Sequence, residues 1–174
     1  MTENHYSALF KVHIPKEIET KILELMEQER EFNRKKKDIP DTLYLVHCNC
    51  SDRSIECNPC DGYVSDFYPN VIFVDPESRK ELMSIFAHEL IHIYQEYRYI
   101  IFNDEYEDNY RERWFEKMSF SLQDKVKEIL DDNIVLECIE KDDDAIDDFL
   151  VGLMKDNGVF DEFMNELDIS SQEY

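Results

Sequence analysis

The chain has 174 residues and 43% hydrophobic content, enough to bury the core of one domain. Its 41 acidic residues against 19 basic ones give a formal charge of −22, which argues against binding to nucleic-acid phosphates or anionic membranes. No apolar run reaches the roughly 20 residues of a membrane span. The N-terminal stretch lacks the pattern of a signal peptide, so we expect an intracellular, cytoplasmic protein.

The first predicted elements are a strand, a helix and a second strand. Residues 7–14 favour a short strand, and Pro15 suits the first turn of a helix that we expect to run to about Lys37. The apolar residues near one face of that helix are Ile14, Ile18, Ile22, Leu25 and Phe32. Residues 42–47 are rich in β-formers and predict the second strand.

A cysteine-bearing loop, a third strand and a long helix follow. Residues 70–74, NVIFV, predict a strand. A helix is expected to open after Asp75 and to run to about Tyr99, because Ser78 and Glu81 have the spacing of a capping box. After a loop at 103–108, another helix should cover about 107–130.

The C-terminal third is helical in pattern and strongly acidic. Residues 140–174 hold 12 acidic and 2 basic residues, yet apolar residues recur there at helical spacing, so the segment is expected to pack. Cys138 lies in an apolar stretch and is expected in the core. The patterns predict a mostly helical α+β fold with a small sheet before the helix at 75–99. We expect one domain over 1–174, with a core at about 42–130 and an acidic helical part at about 131–174.

Residues 87–95 read AHELIHIYQ and carry the H-E-x-x-H pattern. His88 and His92 lie four apart, so on a helix both imidazoles face the same side and can bind one ion. Glu89 lies about 100° round the helix from His88, where it can approach a metal-bound water without binding the metal. The plain alternative is two histidines that bind nothing.

A catalytic zinc needs a third protein ligand and an open position for water. The chain has no histidine after His92, so we expect a carboxylate from a later helix. Glu112 and Glu116 lie one turn apart on the helix predicted to pack against the first. The full set of carboxylate candidates is Glu105, Glu107, Asp108, Glu112 and Glu116, with His47 as an outside candidate.

The stretch AHELIHIYQ resembles the active-site helix of zincin metallopeptidases of the gluzincin type. It also resembles the family of the mitochondrial peptidase that processes an ATP-synthase subunit, and small phage and bacterial HExxH proteins share as much. The likeness continues in the cysteine cluster with Gly62 and Tyr63, in the strand at 71–74, and in FEKMSFSL at 115–122. It implies a minimal zincin fold with Glu116 as third ligand, and Glu112 as the alternative.

The cysteines predict a second metal site. They form the pattern C-x-C-x6-C-x2-C, and four thiolates from two tight turns can close a tetrahedral structural zinc. Disulfides are the alternative, especially if the mitochondrial likeness extends to an oxidising compartment. The four residues are Cys48, Cys50, Cys57 and Cys60.

These observations predict a zinc peptidase that hydrolyses polypeptides, with Glu89 as general base on a zinc-bound water. A second electrophile for the oxyanion would come from Tyr94, Tyr97, Tyr106 or Tyr110. The main alternative is a non-enzymatic acidic interaction protein, either a binder of a basic protein partner or a DNA mimic, on a zincin-like scaffold. A third reading is an accessory subunit whose metal does no chemistry. The sequence leaves the oligomeric state open.

Overall fold

Alternating apolar residues build a mixed sheet, and amphipathic helices cover it. The structure, a computed structural model, describes residues 6–34, 38–49, 61–65, 67–68, 70–78, 80–158 and 161. Among them, the strands are β1 (Tyr6–His13), β2 (Thr42–Cys48), β3 (Gly62–Val64), β4 (Val71–Val74) and β5 (Val135–Glu140). The α-helices are α1 (Lys16–Glu29), α2 (Leu82–Arg98), α3 (Trp114–Leu130) and α4 (Asp143–Asp156). Over this part of the chain, every helix is too short or too polar to span a bilayer.

The five strands lie in the order β3-β4-β2-β1-β5. Strand β1 pairs antiparallel with both β2 and β5, β2 pairs parallel with β4, and β3 pairs antiparallel with β4. The parallel β2–β4 pair requires a long connection, and the segment carrying the cysteines supplies it. Within the described residues, the edges of the sheet are therefore β3 at one side and β5 at the other.

Each face of the sheet packs against its own set of helices. In β4, Ile72 and Val74 point into a core shared with α1, α2 and α3, whereas Val71 and Phe73 point into a core shared with α4. Period-two alternation produces this division, because successive side chains of a strand leave opposite faces. The HExxH helix α2 thus lies on the three-helix face, directly against α3.

The structure confirms the α+β class and most of the predicted elements. Strands β1, β2 and β4 lie where the sequence predicts them, and helix α2 ends close to its predicted end. The predicted capping box at Ser78 and Glu81 is wrong, because α2 begins only after Glu81. The hydroxyl of Ser78 instead donates a hydrogen bond to the Asp61 carboxylate at 2.5 Å. The end predicted for α1 is also wrong, since the helix ends at Glu29 and the amide of Asn33 then bonds to the carbonyl of Arg98.

The region after α2 departs further from expectation. Helix α3 begins at Trp114, because the preceding residues form two short 3-10 turns, Asn103–Glu105 and Tyr110–Glu112. The C-terminal third is also not wholly helical, since β5 joins the sheet beside β1. Cys138 is consequently an exposed strand residue, and its expected core position is wrong.

Candidate metal centre

Helix α2 presents His88 and His92 on the side that faces α3. Its other faces bury apolar residues, so the orientation of the helix is fixed by packing. The two imidazoles are about 12% and 11% exposed, and the Glu116 carboxylate in the first turn of α3 is 5% exposed. A helix N-terminus favours a carboxylate, which suits the position of Glu116.

The three side chains converge on one point. The Nε2 atoms of His88 and His92 lie 3.2 Å apart, and they lie 3.4 and 3.1 Å from the two oxygens of Glu116. Zinc bonds of about 2.0–2.1 Å to N and O place donor atoms about 3.3 Å apart at the corners of a tetrahedron. The triangle thus has the dimensions of three corners of a tetrahedral site. Among the described residues, this is the group of His, Cys, Asp and Glu side chains that could hold a metal ion.

Two glutamines fix which imidazole nitrogen faces the centre. Nδ1 of His92 lies 2.8 Å from Oε1 of Gln95, and Nδ1 of His88 lies 2.9 Å from Oε1 of Gln123. The amide orientation of Gln95 is determined by its other contact, since its Nε2 donates to the carbonyl of Phe115 at 2.8 Å. A carbonyl oxygen only accepts, so Nδ1 of His92 carries the proton and the neutral ring leaves its Nε2 lone pair for a metal; with Oε1 of Gln123 at its Nδ1, His88 takes the same tautomer.

Such an arrangement is electrostatically costly without a cation. Two nitrogen lone pairs and a carboxylate would face one another within 3.4 Å in a buried site. Oε2 of Glu116 is buried and makes no hydrogen bond of acceptable geometry, although His88 lies close to it. A proton can relieve part of this repulsion, and a divalent cation would relieve more of it because it carries twice the charge.

The protonation of the metal-free site follows from the same contacts. Burial lowers the pKa of His92, but the hydrogen bond with Glu116 and the charges of Glu89 and Glu116 outweigh it, so the net pKa is raised. Burial raises the pKa of Glu116, yet the neighbouring imidazoles of His88 and His92 hold it at about 2. In the metal-free protein, a proton on His92 therefore supplies part of the positive charge that a metal ion would supply.

Glu89 lies beside the triangle but outside it. The residue is 8% exposed, and burial raises the pKa of its carboxyl, an effect that Glu116 reinforces and His92 and His88 oppose. Gly62 of β3 packs against it: a Cβ at Gly62 would lie 2.5 Å from Ile85 Cγ2, 2.9 Å from the Phe73 oxygen and 3.4 Å from Glu89 Cγ. Only a glycine lets the edge strand approach α2 this closely.

A cleft of about 310 Å³ opens next to Glu89, His92 and Glu116. Strand β3 forms one wall, and the segment between α2 and α3 forms another, through Tyr106 and Tyr110. Tyr110 lies close to Glu116, and burial, reinforced by that carboxylate, raises the pKa of the tyrosine. The guanidinium of Arg113 lies 5.4 Å from the Tyr106 ring and 5.5 Å from the Tyr110 ring, and helps hold both.

The other predicted ligands lie elsewhere. Glu112 is not on α3 at all: it lies in a 3-10 turn, exposed, and pairs with Lys117 at 2.9 Å. Glu105 pairs with Arg30 at 3.1 Å, and Glu107 and Asp108 are exposed on the intervening loop. His47 packs on the Phe10 ring at 4.8 Å, and burial lowers its pKa.

Of the four cysteines in the cluster, the structure describes Cys48 alone. Cys48 ends β2 and is fully buried in the core beneath α4. Cys50, Cys57 and Cys60 lie outside the described residues. Structural zinc or disulfides at this cluster stay predictions.

Sequence reasoning missed the two glutamines that orient the histidines. Gln95 lies three residues after His92 on the same helix, and i,i+3 spacing makes the two side chains neighbours. That spacing could have identified it. Gln123 comes from α3, 35 residues from His88, and no local pattern connects them.

Comparison of the chain with protein families, with curated proteins and with solved structures finds no match. The geometry and chemistry of the site are therefore what indicate a function for this chain.

Proposed function

We propose that this chain is a zinc-dependent peptidase that cleaves extended polypeptides. The observation that carries the proposal is the triangle of His88, His92 and Glu116 donor atoms, 3.1–3.4 Å apart, with Glu89 beside it in an open cleft. Two imidazoles, one carboxylate and a fourth position open to solvent make up the donor set of a catalytic zinc.

The donor set favours zinc over harder cations. Magnesium and calcium take six or more oxygen ligands, whereas this site offers two nitrogens and one carboxylate. A bound Zn²⁺ supplies Lewis acidity: it acidifies coordinated water and polarises a carbonyl.

Glu89 is placed to move the proton. Its raised pKa, caused by burial, brings the carboxyl closer to the range in which a general base can also return a proton. As water attacks the scissile carbonyl, Glu89 accepts the proton at its carboxylate. The same carboxyl then delivers that proton to the amine that leaves.

Of the four tyrosines proposed as the second electrophile, Tyr106 and Tyr110 line the cleft, and of these two it is Tyr110 that interacts with Glu116. Tyr94 is buried in the core, and Tyr97 donates its hydroxyl to Asn70 at 2.9 Å. The hydroxyl of Tyr110 lies at Glu116 within the cleft. If this hydroxyl turned toward a bound substrate, it would donate a hydrogen bond to the carbonyl oxygen as negative charge develops there.

The substrate would lie along β3. This strand is an edge of the sheet, so its outer backbone groups can pair with an extended peptide. Gly62 begins the strand at the side of Glu89, and Tyr63 and Val64 continue it along the same cleft. A peptide paired there would pass the three ligands and displace water from the cleft.

The test combines metal content with hydrolysis. Zinc-loaded protein should cleave an unfolded polypeptide such as casein, and Glu89→Gln should lose at least about 100-fold in rate while keeping its zinc. His88→Ala combined with His92→Ala should lower the bound zinc by one equivalent per chain. Glu112→Ala is the matched control, because Glu112 pairs with Lys117 on the surface, and it should change neither quantity.

Two results would count against the proposal. Unchanged zinc content in the double histidine variant would remove the metal site. Equal rates for the native protein and Glu89→Gln would leave a metal that does no hydrolytic chemistry.

A further inference from the structure

Strand β5 forms the edge of the sheet opposite to β3, and its side chains are exposed along almost the whole strand. Val135 is 63% exposed, Leu136 43% and Ile139 41%. About half of the backbone N–H and C=O groups of an edge strand point away from the sheet. Within the part of the chain that the structure describes, nothing covers these groups or the apolar side chains beside them.

Edge strands are commonly protected by charged side chains, especially lysine, by proline, by bulges or by a covering helix or loop. Strand β5, with the sequence VLECIE, has two glutamates and no lysine or proline, so its charge opposes pairing with an acidic strand but not with a basic one. Exposed apolar side chains on a paired but open strand form a template for a further strand.

Charge identifies the kind of strand that fits. Residues 135–148 hold seven carboxylates and one lysine. Two of the carboxylates, Glu137 and Glu140, lie in β5 itself, and three more, Asp142, Asp143 and Asp144, follow it directly. Negative charge is crowded here: burial, then the charges of Asp148, Asp143 and Asp144, raise the pKa of Asp147.

The same charge argues against pairing of two copies of this chain. An antiparallel β5–β5 pair would bring the glutamates of both strands together and would set two acidic α4 N-termini near each other. Like charges opposed across strands are destabilising. A basic strand would gain the pairing and neutralise the carboxylates.

We propose that the β5 edge binds an extended segment of a partner protein in which basic residues alternate with apolar ones. The segment adds a sixth strand to the sheet, its apolar side chains cover Val135, Leu136 and Ile139, and its cations pair with the flanking carboxylates. Four strand spacings of about 4.8 Å separate the two edges, so this surface lies about 19 Å from the peptide-binding edge β3. Binding at β5 therefore leaves the metal centre accessible and needs no metal.

The experiment measures binding of a fluorescein-labelled peptide of alternating lysine and valine to the full chain. We expect saturable binding that weakens as salt rises. A peptide with glutamate in place of lysine should not bind. The variant Val135→Lys with Ile139→Lys should bind the lysine peptide at least about 10-fold more weakly, because it loses two apolar contacts and adds two positive charges that repel the peptide. That factor corresponds to about 1.4 kcal/mol.

The matched control places the same two lysines on other exposed apolar positions. Leu82→Lys with Ile100→Lys adds the same charge, at side chains 37% and 40% exposed, and should bind within about 2-fold of the native protein. Thermal unfolding of both variants checks that each remains folded.

Several outcomes would overturn the proposal. The lysine–valine peptide could fail to bind the native chain, or the β5 variant and its control could weaken its binding equally. A concentration-dependent dimer that the β5 variant abolishes would assign the edge to a second copy. Slow amide exchange along β5 in the isolated chain, lost when residues 159–174 are removed, would assign it to the chain itself.

Discussion

Gln95 holds the ring of His92 through a 2.8 Å hydrogen bond between Oε1 and Nδ1. The same side chain donates to the carbonyl of Phe115, next to Glu116 in sequence, so one buried amide ties a ligand on α2 to the start of α3. Gln95 is 2% exposed, and water therefore cannot easily replace either contact.

Replacing Gln95 by leucine should lower zinc affinity by about 10–100-fold, the usual effect of losing a residue that orients a metal ligand. The His92 ring would lose the acceptor that keeps its proton on Nδ1. Competition with a chromophoric chelator measures the affinity. Gln95→Glu keeps an acceptor for Nδ1, so its affinity should lie above that of the leucine variant. Equal affinities for the native protein and Gln95→Leu would contradict the assigned role.

Gly62→Ala should destabilise the fold by about 1–3 kcal/mol, because the added Cβ would press on the Phe73 carbonyl and on Ile85. The strain lies next to Glu89, so hydrolysis should fall with stability. Gly152 is the matched control: a Cβ there meets nothing within 4 Å, and alanine in the middle of α4 should stabilise by about 0.5–1 kcal/mol. Chemical denaturation measures both. An unchanged free energy of unfolding in Gly62→Ala would show that β3 can move away from α2 without loss of stability.

The metal-free form should lose stability as pH rises, whereas the stabilisation that zinc adds should grow. His92 has a raised pKa in the folded chain: burial lowers it, but the bond to Glu116 and the nearby carboxylates outweigh burial. A raised folded pKa contributes stability that is present below the unfolded value of about 6.5 and is lost as pH rises through the folded value. The Tm of chelated protein should therefore fall from pH 6.5 upward. Zinc binding displaces that proton, so zinc-induced stabilisation should grow over the same interval.

The control for this pH dependence is His92→Asn, which removes the titrating group. Differential scanning calorimetry across the interval should show a smaller decline in Tm for the chelated variant than for the chelated native protein. Identical declines would assign the effect to other groups.

Tyr110→Phe should lower kcat by about 10²–10³-fold with little change in KM or zinc content, because the hydroxyl is expected to act on charge that develops during the reaction. A phosphinic peptide, which imitates the tetrahedral oxyanion, should bind the variant more weakly than the native protein. Tyr44→Phe is the matched control, since Tyr44 packs on Phe149 at the other face of the sheet. If the loss of activity in Tyr110→Phe were reversed by excess zinc, the tyrosine would only position Glu116.

Local patterns in the sequence were sufficient for the elements that position the histidines. Residues 42–47 and 70–74 are rich in residues that favour strands, and both segments form strands. The i,i+4 spacing of His88 and His92 placed both imidazoles on one face, because helix geometry alone fixes that relation. The start of α3 was predicted too early because the 3-10 turn at Tyr110–Glu112 has helical composition but is not continuous with the helix.

What the amino-acid order determined by itself was the pair of histidines, the glutamate beside them and the amphipathic helix that carries all three. The tertiary structure decided which carboxylate meets them. Glu112 and Glu116 differ little as isolated residues, but packing of α3 on α2 turns one inward and leaves the other on the surface. It also decided the role of Gln123 and the exposure of β5, since both depend on contacts between segments far apart in the chain, which no local periodicity encodes.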